Sequence, residues 1–252
     1  MEPTQRFSGR VENYARYRPS YPPEALDLLE SECALRDSAT VADVGSGTGI
    51  LSRLLLERGA FVYGVEPNRE MREAAERLLS EYERFTSVAG SAEDTPLPNS
   101  SVDLITAGQA FHWFDHEAAR REFGRILAPG GHVAIIWNNP SYEASEFMGD
   151  YRRILEEFGT DYKRVTRLGA DKEPPASFFG DDGFASRTFD YSQTLGLEAL
   201  KGRLLSSSFV PGPDEPQSGP MLEELTRVFE SRQSGGGVVF EYETRAFYGR
   251  LT

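Results

Sequence analysis

Three glycines and two carboxylates at the ends of two apolar runs are the residues of this sequence best placed to do chemistry. Gly45-Ser46-Gly47-Thr48-Gly49 follows the run Thr-Val-Ala-Asp-Val of residues 40–44, and glycines crowd like this where backbone must turn sharply or lie close to something. Asp43 sits inside the apolar run. A carboxylate buried there is costly unless it finds donors, such as the loop amides, or a cation. Glu66 ends the second apolar run, 21 residues past Gly45. At that place it is either a solvated strand end or an acceptor for both hydroxyls of a ribose. The loop reads G-x-G-x-G, and Ile50 stands where a dinucleotide fingerprint needs glycine or alanine. No Lys-Ser or Lys-Thr follows, so there is no Walker loop either. The loop offers close approach without a phosphate cradle.

These groups must be held by strands and helices, and the first half of the chain alternates the two patterns. Strands are expected at 40–45, 61–66, 85–90, 102–108 and 132–138, with helices at 50–59, 68–83 and 115–128 between them. Asn68 and Asp115 are placed to cap the second and third of these helices. Leu-Ala-Pro-Gly-Gly, 127–131, reads as a helix stop and a tight turn before the fifth strand. Such alternation implies a parallel sheet with crossover helices. After residue 140 the rhythm breaks: helical patterns at 144–158, 196–207 and 221–233, strands at 186–195 and 238–250, and a mixed stretch at 159–185. We therefore expect one α/β domain over 1–252, with its core in 36–140 and 186–252. A cap would be built from 1–35 and parts of 141–220.

A ligand that suits the loop carries an adenosine-like ribose, no phosphate and a positive charge, conditions that S-adenosylmethionine meets. At this point "VADVGSGTG", "VYGVEPN", "GSAEDTPLPNSSVDLITAGQAFHWFD" and "EFGRILAPGGHVAIIWN", in this order, resemble the class I methyltransferases that use S-adenosylmethionine. "FSGRVENYARYRPSYP" and "YETRAFYGRL" near the two ends resemble a branch that includes trans-aconitate methyltransferase-like proteins. The resemblance implies a Rossmann-like, seven-stranded, mostly parallel sheet with helices on both faces and a helical cap. One antiparallel strand would lie near its edge.

For the site, the resemblance implies that Gly45, Ser46, Gly47, Gly49, Asp43, Glu66 and Pro67 hold the cofactor. Ala92 would offer its amide to the adenine, with Ser91 or Glu93 at the exocyclic amine, and Gln109 would meet the methionine part. Tyr14 and Arg18 would belong to an N-terminal lid, where Arg18 could clamp the methionine carboxylate. Trp113 and Phe111 would stand toward the acceptor, although core packing explains aromatic residues equally well. If the acceptor must lose a proton, His112 is the first candidate for the base.

Composition narrows the partners. A formal charge of −13, with 3 lysines and 24 arginines and no basic run, argues against a phosphate-tracking surface, so no nucleic-acid partner is expected. No apolar run approaches a bilayer span, and the start of the chain lacks a secretory pattern. Cys33 is the only cysteine, which fits a reducing cytoplasm. His112, His116 and His132 form no ligand spacing with Cys33, so no metal is expected. The expected activity is methyl transfer from S-adenosylmethionine to a small molecule, the branch suggesting a carboxylate. The alternatives are a non-catalytic binder of S-adenosylmethionine and a nicotinamide-dependent oxidoreductase. Ile50 and the lack of a Tyr-x-x-x-Lys pair count against the oxidoreductase.

Overall fold

The computed structural model describes residues 11–160, 162, 173–181 and 183–252. The first ten residues of the expected cap and part of the mixed stretch lie outside them. Strands β1 (Thr40–Val44), β2 (Phe61–Val65), β3 (Phe85–Val88), β4 (Val102–Gly108) and β5 (Leu127–Pro140) alternate with helices α3 (Ile50–Glu57), α4 (Arg69–Leu78) and α5 (His116–Ile126). Helices α1 (Val11–Tyr17) and α2 (Pro23–Glu32) precede β1, and α6 (Glu146–Phe158) follows β5. The chain continues with a helical turn at Ala176–Phe179, strand β6 (Ala185–Leu195), helices α7 (Leu197–Leu205) and α8 (Ser218–Arg232), and strand β7 (Val238–Gly249).

The seven strands form one sheet in the order β3-β2-β1-β4-β5-β7-β6. All neighbouring pairs are parallel except those of β7, which runs antiparallel to β5 and β6. This is the mostly parallel α/β sheet, with one antiparallel member, that the sequence leads one to expect. Val41, Ala42 and Val44 are fully buried, as a central strand covered by helices on both faces must be. One face packs with Leu26, Leu29, Leu51 and Leu55 of α2 and α3, the other with Phe123 and Ile126 of α5. A third cluster gathers α6, α7 and α8 on Phe240 and Tyr242 of β7.

Both expected caps form: Asn68 accepts from the Met71 amide, and Asp115 from those of Glu117 and Ala118. The fifth strand differs from expectation. It begins at Leu127 rather than 132, because Leu127 already pairs with Val102 while His132 pairs with Leu104. The Pro-Gly-Gly turn bulges out inside the strand instead of preceding it, helped by Gly130 at φ 82°.

Order reverses at β1, which has β2 on one side and β4 on the other. The loops after β1 and β4 thus part and leave a crevice at the carboxyl ends, where open α/β sheets bind ligands.

Candidate functional site

The glycine loop leaves β1 and turns back at once. Gly45 and Ser46 donate their amides to the Val65 carbonyl at the end of β2 (2.8 and 3.2 Å). Gly45 has φ 70°, and a Cβ there would lie 2.5 Å from Cβ of Ala110. Gly47 has φ 57°, and a Cβ there would meet nothing within 4 Å. Gly49, at φ 83°, backs onto Ala75 of α4 and Leu79 just past its end. The three glycines therefore do different work: Gly45 fits the turn between β1 and Ala110, Gly49 seats α3 on α4, and Gly47 faces open space.

That space is a cleft of two adjoining hollows, both bordered by Tyr14, Gly45, Gly47, Gly108 and Gln109. The larger, about 850 Å³ including its open mouth, is walled by Glu66, Pro67, Ser91, Ala92, Glu93 and Trp113. The smaller, about 540 Å³, is walled by Arg18, Asp43, Ser46, Asn138 and Arg203. Of the residues expected to hold the cofactor, all but Gly49 line this cleft.

Glu66 is 9% exposed, so it is no solvated strand end. One carboxylate oxygen accepts from the Gly47 amide (3.0 Å) and the other from the Asn68 amide (2.8 Å). Burial raises its pKa, against the pull of these two bonds. Each oxygen keeps acceptor capacity, so a pair of hydroxyls can still be taken. Ser91, Ala92 and Glu93 are held by bonds the sequence does not reveal. Glu93 accepts from the Asp115 amide, and the loop beyond it is pinned where Glu122 accepts from the amide and hydroxyl of Thr95. Arg125 beside Glu122 holds that carboxyl down at about 2.

Asp43 is 1% exposed, and its partners are hydroxyls rather than loop amides: Ser52 at 2.6 Å and Thr106 at 2.9 Å. Burial pushes its carboxyl up to about 6 in spite of these bonds. The folded chain thus holds this proton more tightly than the unfolded chain does. Stability from Asp43 is fully present below the ordinary value near 3.8 and is lost as pH rises through about 6. The loss amounts to about 3 kcal/mol. We expect Asp43→Asn to flatten this part of the curve of urea midpoint against pH. Identical slopes for variant and wild type between pH of about 4 and 6 would disprove it.

Gln109 adopts φ 59°, rare for a residue with a side chain. Its amide donates to the Ile136 carbonyl and its side chain to the Asn138 carbonyl at 2.7 Å. Asn138, which sequence reasoning passed over, also donates to the Ser20 carbonyl and so ties the segment after α1 to the end of β5. Helix α1 buries no residue of its own. It rests on α7 where the Tyr17 ring lies 2.2 Å from the place a Gly202 Cβ would take, so only glycine admits it. Arg18 stacks on Tyr14 at 4.9 Å and donates through Nη2 to the Ser206 carbonyl, while its enclosed Nε has no partner among the described residues.

The aromatic group after β4 divides. Trp113 borders the larger hollow, but Phe111 is buried against His116, Phe114 and Phe178 and lines neither hollow. The ring of His112 packs on Trp113 and Trp137, and His112 is not among the residues of either wall.

This geometry agrees with what the chain is similar to. Residues 42–135, β1 to β5, match the family model of a methyltransferase domain. An uncharacterized methyltransferase of Mycobacterium tuberculosis is 39% identical over 155 residues, 62% of this chain and 59% of that protein. The match thus spans about three fifths of that relative's length. An uncharacterized methyltransferase of Geobacillus kaustophilus is 31% identical over 155 residues, 60% of this chain and 68% of that protein. A structure from Anaeromyxobacter dehalogenans, assigned as a type II methyltransferase, superposes with a TM-score of 0.69 at 22% identity, covering 93% of this chain and 98% of that one. The chain belongs to the class I S-adenosylmethionine-dependent methyltransferase family. No helix among the described residues is long and apolar enough to cross a membrane.

Proposed function

We propose that this protein transfers a methyl group from S-adenosylmethionine to a small cytoplasmic molecule bearing a carboxylate, as the terminal motifs of the trans-aconitate-like branch suggest. The observation that carries the reading is the cleft itself, in which one buried carboxylate, Glu66, is locked to the amide of the open-faced Gly47. When bound, S-adenosylmethionine supplies an electrophilic methyl: an acceptor lone pair bonds to that carbon, the carbon–sulfur bond breaks, and its electron pair stays on sulfur, leaving S-adenosylhomocysteine.

The chain's residues bind and orient. Glu66 takes the ribose hydroxyls beside Pro67, and Ser91, Ala92 and Glu93 face the adenine edge. Gly45, Ser46 and Gln109 border the methionine part, with Tyr14 over it. Arg18, whose Nε has no partner among the described residues, takes the methionine carboxylate, and Asp43 on the same wall would offer negative charge to the sulfonium. Holding acceptor and methyl in near-attack geometry can supply most of the catalysis. An ionised carboxylate needs no base to accept a methyl. A phenol or ammonium acceptor would need one, and that is where His112 would enter.

Calorimetry tests this. We expect S-adenosylhomocysteine to bind with Kd of about 1 μM or tighter, roughly −8 kcal/mol. Clear binding of a nicotinamide dinucleotide with none of either adenosyl ligand would refute the assignment. No nucleic-acid substrate is expected of a surface with this net charge.

A further inference from the structure

The smaller hollow contains a second cation that the cofactor does not require. Arg203, on α7, is 4% exposed and forms part of its wall. Nε donates to the Tyr242 hydroxyl at 3.2 Å and Nη1 to the Ser207 hydroxyl at 3.4 Å. Nη2 has no hydrogen-bond partner among the described residues. The guanidinium lies over the rings of Phe240 and Tyr242, 5.4 and 6.0 Å from their centroids.

A buried guanidinium is normally paired with an acid, because an uncompensated charge away from water is costly. Among the described ion pairs, none involves Arg18 or Arg203. The phenols around Arg203 offer lone pairs and rings rather than negative charge. Burial pushes Tyr151 up to about 12 and raises Tyr142 as well, so both stay protonated. Asp43, the acid on the same wall, is already engaged by two hydroxyls. The two arginines also feel each other: burial first, then the charge of Arg203, push Arg18 down to about 10. Two cations thus border one hollow of about 540 Å³, and the one acid among its described wall residues, Asp43, is already engaged by two hydroxyls. A methionine carboxylate can neutralise one of them.

We propose that Arg203 is the residue that selects the acceptor, gripping a carboxylate of a small organic acid, while Arg18 serves the cofactor. The assignment rests on the methyltransferase reading above. The acid needs room for a second nucleophilic atom turned toward the methyl, so a compact molecule with two or more acidic groups fits best. Tyr242 and Ser207 hold two guanidinium nitrogens at the wall of the hollow, a rigid arrangement that a lysine at 203 would lack.

The test uses the full chain and two binding readouts, calorimetry with S-adenosylhomocysteine and calorimetry of its complex with probe acids. The probes are citrate, trans-aconitate, malonate and benzoate, each against its neutral amide. We expect at least one acid to bind wild type while its amide does not. Arg203→Met should weaken that acid by about thirtyfold, the loss of one charge-assisted contact, yet leave the S-adenosylhomocysteine Kd within about twofold. Arg203→Lys should restore part of the acid binding, and Arg18→Met should reverse the pattern. The retained S-adenosylhomocysteine affinity shows that Arg203→Met is folded. Weakened S-adenosylhomocysteine with unchanged acid in Arg203→Met would overturn the assignment, as would a wild-type complex that binds no acid. Failure of wild type to bind S-adenosylhomocysteine at all would instead remove the methyltransferase reading itself.

Discussion

Gly45→Ala should weaken cofactor binding more than a hundredfold and lower stability together. The residue sits at φ 70°, a region that costs a side chain roughly 1–2 kcal/mol. The added methyl would also lie 2.5 Å from Cβ of Ala110, on a neighbouring loop that cannot yield without moving Gln109. Relief requires the turn to open, which breaks the bonds from Gly45 and Ser46 to the Val65 carbonyl. Strain and lost bonds together reach about 3 kcal/mol, more than a hundredfold in affinity. Gly47→Ala provides the contrast. It carries similar strain at φ 57° but meets open space, so its thermal midpoint should fall less while its methyl intrudes on the ligand. Calorimetry and thermal unfolding on both variants decide the matter. Equal midpoints and near wild-type affinity in Gly45→Ala would show that the loop is not held as described.

Glu66→Ala should be the next most damaging change, and for two reasons rather than one. From sequence alone the residue reads as a solvated strand end or a ribose acceptor. The structure adds a second role, because its carboxylate joins the Gly47 amide to the Asn68 amide and so clamps the glycine loop to the start of α4. Losing two charge-assisted bonds should lower stability by about 2–4 kcal/mol, and losing the two ribose contacts proposed above should weaken S-adenosylhomocysteine by about a hundredfold. Glu66→Gln separates the roles. An amide oxygen can still accept from one backbone N–H, so most stability should return while affinity stays low. Full affinity in a folded Glu66→Ala would exclude the residue from the ribose site.

The order of strands and helices was legible because apolar periodicity and capping residues act locally. Asn68 and Asp115 cap the helices they precede whatever lies elsewhere in the fold. The bulge at Pro129 was not legible, since it depends on β4 offering Asp103 alone opposite four residues of β5. At the site, residue types were readable but partners were not. The hydroxyls on Asp43 come from α3 and β4, and Thr106 reaches it only because β1 and β4 are neighbours. Gly49 was grouped with the binding glycines on the family resemblance, yet it packs against Ala75 of α4 and Leu79 just beyond it. Arg203 was missed altogether, although a signal existed. With Leu200 and Leu204 it falls on one buried stripe of α7, where an arginine is out of place unless something anionic meets it.

The position of β7 fixes the order in which the molecule can mature. This strand is made last yet lies between β5 and β6, so β6 emerges during synthesis with no strand to join. The first five strands and the glycine loop pair with one another without any residue beyond β5. The Arg203 wall, by contrast, waits for Tyr242 to arrive. Non-local pairing of this kind is slow, and until it occurs β5 shows an unpaired edge that invites association between chains. A nascent chain can therefore form the wall around Glu66 before the wall around Arg203. A cofactor bound at that stage would steady the growing sheet while its exposed edge is most vulnerable.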